Sequence, residues 1–151
     1  MCKLRLKQYK AICVERNFYA KGAYRTAYRD PATGNIIKYL NEGKSELNYY
    51  SHENWAEVLI WRKVKRNKKL RKYFLPVLSY SRCFTYVEYP FCPNVDPNLL
   101  DGTFKVPKAW NDAHTEQFGT YNGNFVIRDY GDIKLNDNLF DLEKGWEWWT
   151  Y

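Results

Sequence analysis

The sequence predicts an α+β domain, a five-stranded antiparallel sheet carrying one long helix, followed by a much smaller second part. Three observations predict it. Short runs rich in β-branched and aromatic residues, separated by turn formers, fill residues 18–40. A stretch with apolar residues at three- and four-residue steps occupies 46–70. Two further short runs, 77–80 and 83–89, lead into a segment broken by Pro90, Pro93 and Pro97. The 151 residues suit one domain, and 45% hydrophobic with 27% charged residues argues against disorder.

Residues 3–14 have mixed periodicity and read as a strand or a short helix packing on the body. Phe18–Ala20, the turn at Lys21-Gly22 and Ala23–Arg29 read as strand, tight turn, strand. Asp30 to Asn35 is dense in turn formers and should close a hairpin onto Ile36–Leu40, a strand with Lys38 inside it. Ser45 is placed to cap the helix that follows. Leu47, Tyr50, Asn54, Val58 and Trp61 form its apolar stripe, with Glu53 and Glu57 along one edge. Ala109–Phe118 reads as a short helix and loop. Asn122-Gly123 signals a hairpin into the strand Phe125–Arg128, and the tail from Glu143 to Tyr151 is acidic and aromatic.

Charge narrows the partners. The net charge is +7, yet residues 62–72 hold eight of the 24 Lys and Arg; without them 16 basic residues face 17 acidic ones. Arg62, Lys63, Lys65, Arg66, Lys68, Lys69, Arg71 and Lys72 therefore form one local patch, the footprint of a polyanion partner or the cationic end of a helix. No run approaches the roughly 18 apolar residues of a membrane span. The charged start, Met1 to Lys7, lacks a signal-peptide core, so a cytoplasmic protein with no membrane contact is expected. Cys2, Cys13, Cys83 and Cys92 lack paired zinc spacing and read as reduced thiols.

The order of elements carries the most information: strand, turn, strand, strand with Lys38, helix with Glu57, two strands, linker, a loop with Asp112, a hairpin, then Asp129-Tyr130-Gly131. In this order the chain resembles the protein-kinase-like fold over roughly residues 18–132. Ile36-Ile37-Lys38 is similar to the strand whose lysine holds nucleotide phosphates, with Glu57 as its helix partner and Glu53 as the alternative. Phe84 to Pro90 resembles the strand and hinge that bind adenine, Glu88 and Tyr89 offering main chain. Asp112 and Gln117 have the five-residue separation of the catalytic loop, and Asp129-Tyr130-Gly131 is similar to the Asp-Phe-Gly motif.

The resemblance implies ATP and magnesium as cofactors. Lys38, Glu57 and Asp112 are then the catalytic group. Gly22, Lys38, Glu88 and Tyr89 bind nucleotide, and Asp129 and Gln117 bind metal. Departures from the pattern are equally plain: one hairpin glycine instead of three, Gln117 where asparagine is usual, and only 20 residues after Gly131. They imply a single domain with a kinase-type N-lobe at 1–89, a hinge at 90–98 and a truncated C-lobe fragment at 99–151. The expected function is a minimal kinase-like enzyme transferring phosphate from Mg-ATP to a cellular or host protein. The alternatives are a pseudokinase, or a phage- or virus-type host-takeover protein gripping a protein or nucleic acid through residues 62–72 and its aromatic tail.

Overall fold

The structure, a computed structural model, describes residues 2–41, 53–96, 105–107, 115–131 and 148–150. It is α+β. The predicted element at the start is a helix, α1 (Cys2–Ile12), followed by β1 (Phe18–Lys21), β2 (Arg25–Arg29) and β3 (Ile36–Leu40). Strong helix formers such as Leu, Lys, Arg and Gln dominate the first ten residues, which favours helix over strand. Next come α2 (Glu53–Val64), β4 (Ser79–Tyr80) and β5 (Tyr86–Tyr89). These five strands make one antiparallel sheet in the order β1-β2-β3-β5-β4. Two small antiparallel pairs follow: β6 (Lys105–Pro107) with β9 (Trp148–Thr150), and β7 (Phe118–Tyr121) with β8 (Asn124–Ile127).

The turns form where the sequence puts them. Asp30 closes the β2–β3 hairpin by accepting the Ala32 N–H at 2.9 Å and the Thr33 hydroxyl at 3.0 Å. Asn122 and Gly123 take φ of 50° and 76°, the left-handed pair that a tight β7–β8 hairpin requires. Elsewhere the elements are shorter than the runs that predict them. Within the described residues the helix spans 53–64 and stops there, because Asn67 Oδ1 accepts the N–H groups of Lys69 and Leu70 and turns the chain. Ser45 and the helix start expected at 46 lie outside the described residues. The strand expected from Cys83 begins only at Tyr86, since Phe84 sits at φ 56° in the preceding turn.

The two sheet faces are covered differently. On one, α1 lays Tyr9 against Tyr86, with ring centroids 5.5 Å apart, over Ile37. Tyr9 and Ser79 share a short hydroxyl contact, and Ser79 Oγ donates to Glu88 at 2.6 Å. On the other face, Val58 of α2 joins Leu75, Val77, Val87, Tyr89, Cys92 and Val126 in the main core. Asn54, on the predicted apolar stripe, is fully buried because its amide serves the carbonyls of Phe84 at 2.8 Å and Thr85 at 3.1 Å.

Cys13, Cys83 and Cys92 are free thiols. Burial pushes the Cys13 thiol up to about 12 and Cys92 up to about 11, the latter against the opposing pull of Arg128 and Lys38. Cys83 is exposed. A thiol reagent at pH 8 should therefore label Cys83 first and leave Cys13 and Cys92 intact until denaturant is added. Peptide mass mapping reads this, and early labelling of Cys92 would contradict its packing.

Candidate functional site

A cleft of about 850 Å³ opens between the β1–β3 strands and the segments carrying Leu75, Pro90–Cys92 and Arg128-Asp129. Its position follows from register. Arg25 pairs with Leu40, Ala27 with Lys38, and Lys38 with Val87, so Arg25, Ala27, Ile36 and Lys38 share the face toward α2. The α2 stripe presents Glu53, Asn54 and Glu57 to that face, and Asp129 arrives two residues after β8.

Glu57 is the centre of the site. Its side chain is completely buried, and buried carboxylates persist only when paired and hydrogen-bonded. Oε2 accepts Arg25 Nη1 at 2.9 Å and the Tyr89 hydroxyl. Oε1 accepts Arg25 Nη2 at 3.1 Å and the main-chain N–H groups of Tyr130 at 3.1 Å and Gly131 at 3.2 Å. Lys38 Nζ lies 3.6 Å from Oε1 and 3.9 Å from Asp129 Oδ1, and donates to the Arg128 carbonyl at 3.2 Å. Burial and the Glu57 charge push the Tyr89 phenol well above its usual range, keeping it a donor.

Arg25 was invisible as a site residue in the sequence, yet it binds the cluster together. Nε donates to Glu53 at 2.9 Å, Nη1 to Glu57 at 2.9 Å and Asn54 at 3.2 Å, Nη2 to Glu57 at 3.1 Å and Asp129 at 2.6 Å. All five guanidinium N–H donors are thereby used. Burial opposes ionisation of Asp129, but Lys38 and Arg25 outweigh it and hold its carboxyl well below the usual carboxylate range. A signal for Arg25 existed in charge balance. Bringing Lys38, Glu57 and Asp129 together leaves one cation for two carboxylates, one of them fully buried, and a second cation is required.

The predicted residues fall into three groups. Lys38, Glu57 and Asp129 converge. Gly22 and Tyr89 line the same cleft, although Tyr89 also reaches Glu57 with its hydroxyl rather than serving through main chain alone. A Cβ on Gly22 would meet nothing closer than 3.6 Å, so the hairpin does not demand a glycine there. Glu88 and Gln117 do not line the cleft. The Glu88 side chain binds Ser79 and Asn35 on the opposite sheet face, and its carbonyl takes the Leu78 N–H at 2.8 Å. Gln117 is buried, and its carbonyl takes the N–H groups of Arg128 and Asp129. Asp112, with Trp110, Asn111 and His114, lies outside the described residues.

The magnesium implied by the resemblance does not fit the described residues. Glu53 and Asp129 each hold Arg25, Glu57 is saturated and buried, and Gln117 is outside the cleft. Among the described residues no group of three or more His, Cys, Asp or Glu is placed to hold an ion.

The eight cations of 62–72 are all exposed, while Val64 and Leu70 between them are buried as anchors. Arg62 lies over the Tyr80 ring at 5.9 Å and Lys72 over Tyr73 at 5.0 Å. No described helix is long and apolar enough to cross a membrane. Comparisons of this chain with protein-family models, with curated proteins and with solved structures found no match.

Proposed function

We propose that this chain is a reduced kinase-like domain whose cleft receives an adenine nucleotide or nucleoside, acting as a binding module. One observation carries the reading: residues 38, 57 and 129, far apart in sequence, meet within 3.9 Å beside a cleft open to solvent. The element order supports it: β1, β2, β3 with Lys38, α2 with Glu57, β4, β5, then the β7–β8 hairpin and Asp129-Tyr130-Gly131. The cleft walls suit a planar ring. Ala27, Ile36 and Leu75 are apolar, and Pro90 and Phe91 line the same cleft.

The competing reading is phosphoryl transfer from Mg-ATP to a protein, with Asp112 near the acceptor. Arg25 favours the binding module over transfer, because it occupies the carboxylates that a metal-dependent transfer would use. The exposed patch at 62–72 is the surface through which such a module would hold an acidic partner.

Thermal unfolding tests the proposal. Adenosine or ATP at about a hundredfold excess over its dissociation constant should stabilise the protein by about 2.7 kcal/mol. Ala27→Phe, which fills the cleft from a half-buried strand position, should abolish the shift while leaving the unliganded melting temperature nearly unchanged. A wild-type-sized shift in that variant would remove the cleft from consideration.

A further inference from the structure

We infer that the cleft binds its ligand through the ring, without a divalent cation, and that Arg25 is the resident cation of the site. The inference rests on the cleft being a nucleotide site and names the ligand class: a nucleoside, whose phosphates, if present, add no affinity.

The geometry argues this in three steps. A site that grips polyphosphate needs donors to spare, and Arg25 has none: its five N–H groups are spent on Glu53, Asn54, Glu57 and Asp129. Local charge points the same way. Arg25, Lys38 and Arg128 face Glu53, Glu57, Asp129 and Glu116 at the cleft, a balance of one net negative charge. Such a cluster repels a polyphosphate unless a metal is added, and the carboxylates a metal would need already hold the guanidinium.

The remaining cation on the cleft wall does not change the outcome. Arg128 directs Nη1 to the Cys92 carbonyl at 3.1 Å and Nε and Nη2 to the Glu116 carbonyl at 3.0 and 2.8 Å. It ties the floor of the cleft to the hinge-like segment instead of reaching into the opening. Lys38, the third cation of the wall, spends an N–H on the Arg128 carbonyl and its charge is shared by Glu57 and Asp129. Phe91 is held by Arg29, whose guanidinium stands 4.1 Å over its ring, and by Tyr19 at 6.1 Å edge to face. This fixes the Phe91 ring in the cleft that Ala27, Ile36 and Leu75 also line, an apolar wall suited to the face of a heteroaromatic ring.

Calorimetry with adenosine, ATP in EDTA, and ATP with magnesium tests the inference on the full chain. Adenosine should bind at least as tightly as ATP, and magnesium should change the ATP affinity by less than about threefold. Strengthening of ATP by about tenfold or more on adding magnesium would overturn the inference while leaving the nucleotide site standing. Binding of neither ligand in any condition would instead overturn the site itself. Asp129→Asn gives an independent sign. Removing one negative charge from the cluster should tighten ATP in EDTA, whereas a loss of ATP binding would mark Asp129 as a metal ligand and overturn the inference. Manganese alone, titrated by electron paramagnetic resonance, should show no bound ion in the wild-type protein; a stoichiometric bound ion would also overturn it.

Discussion

Arg25→Met is expected to lower folding stability by about 3–5 kcal/mol, the cost of leaving a buried carboxylate without its cation. Urea titration reads it as a fall in the unfolding midpoint. The cause is specific to Glu57, whose side chain has no exposure and which loses two of its hydrogen bonds at once. Adding Glu57→Gln should restore part of the loss, because a neutral amide no longer needs the guanidinium. Acid should narrow the difference between wild type and Arg25→Met. The Asp129 carboxyl is held below its ordinary value by Lys38 and Arg25, after burial has pushed the other way. Its contribution is therefore complete above the unfolded carboxylate pKa, about 3.9, and is lost as pH falls toward the folded value. A difference that stayed constant down to pH 2 would show that these ion pairs do not stabilise the fold.

Tyr130→Ala is expected to cost a further large sum, about 3–5 kcal/mol for removing a buried aromatic ring. Tyr130 has no exposed surface, meets Phe74 edge to face at 5.3 Å and donates its hydroxyl to the Leu75 carbonyl at 3.0 Å. Tyr130→Phe keeps the ring and should lose only about 1 kcal/mol, the hydrogen bond alone. If both variants fell equally, the hydroxyl rather than packing would be the anchor. The neighbouring glycine belongs to the same contact. A Cβ on Gly131 would stand 2.8 Å from Glu53 Cβ and 3.1 Å from its main chain, so the Asp129–Gly131 segment presses directly on α2. Its closeness lets the Tyr130 and Gly131 N–H groups reach Glu57.

Local chemistry made much of this legible. Asp30 and Asn122-Gly123 act through their own backbones within a few residues, so their turns form as read. The helical period puts Val58 on the apolar stripe of α2 and Glu57 along its edge, and both are fully buried. The resemblance to the kinase-like fold nominates Lys38, Glu57 and Asp129, and these three side chains come together. Element ends were less legible, because Phe84 and Asn67 end their runs through a backbone angle and a side-chain cap that periodicity does not encode.

The face that Arg25 occupies is the clearest case of what sequence could not decide. Residues 25, 27 and 29 alternate with 26 and 28, and nothing along the strand says what their face meets. Only pairing with Lys38 across the sheet, and the approach of Glu53, Glu57 and Asp129 from two other elements, turn it inward. Alternation puts Glu88 and Tyr89 on opposite faces, but only packing decides that one meets Ser79 and the other Glu57. The α+β class, the turns and the basic patch are set by neighbours along the chain and can be read from the sequence. The tertiary structure alone decided how Lys38, Glu57 and Asp129 are neutralised, because charge compensation in a buried cluster depends on which side chains meet in space.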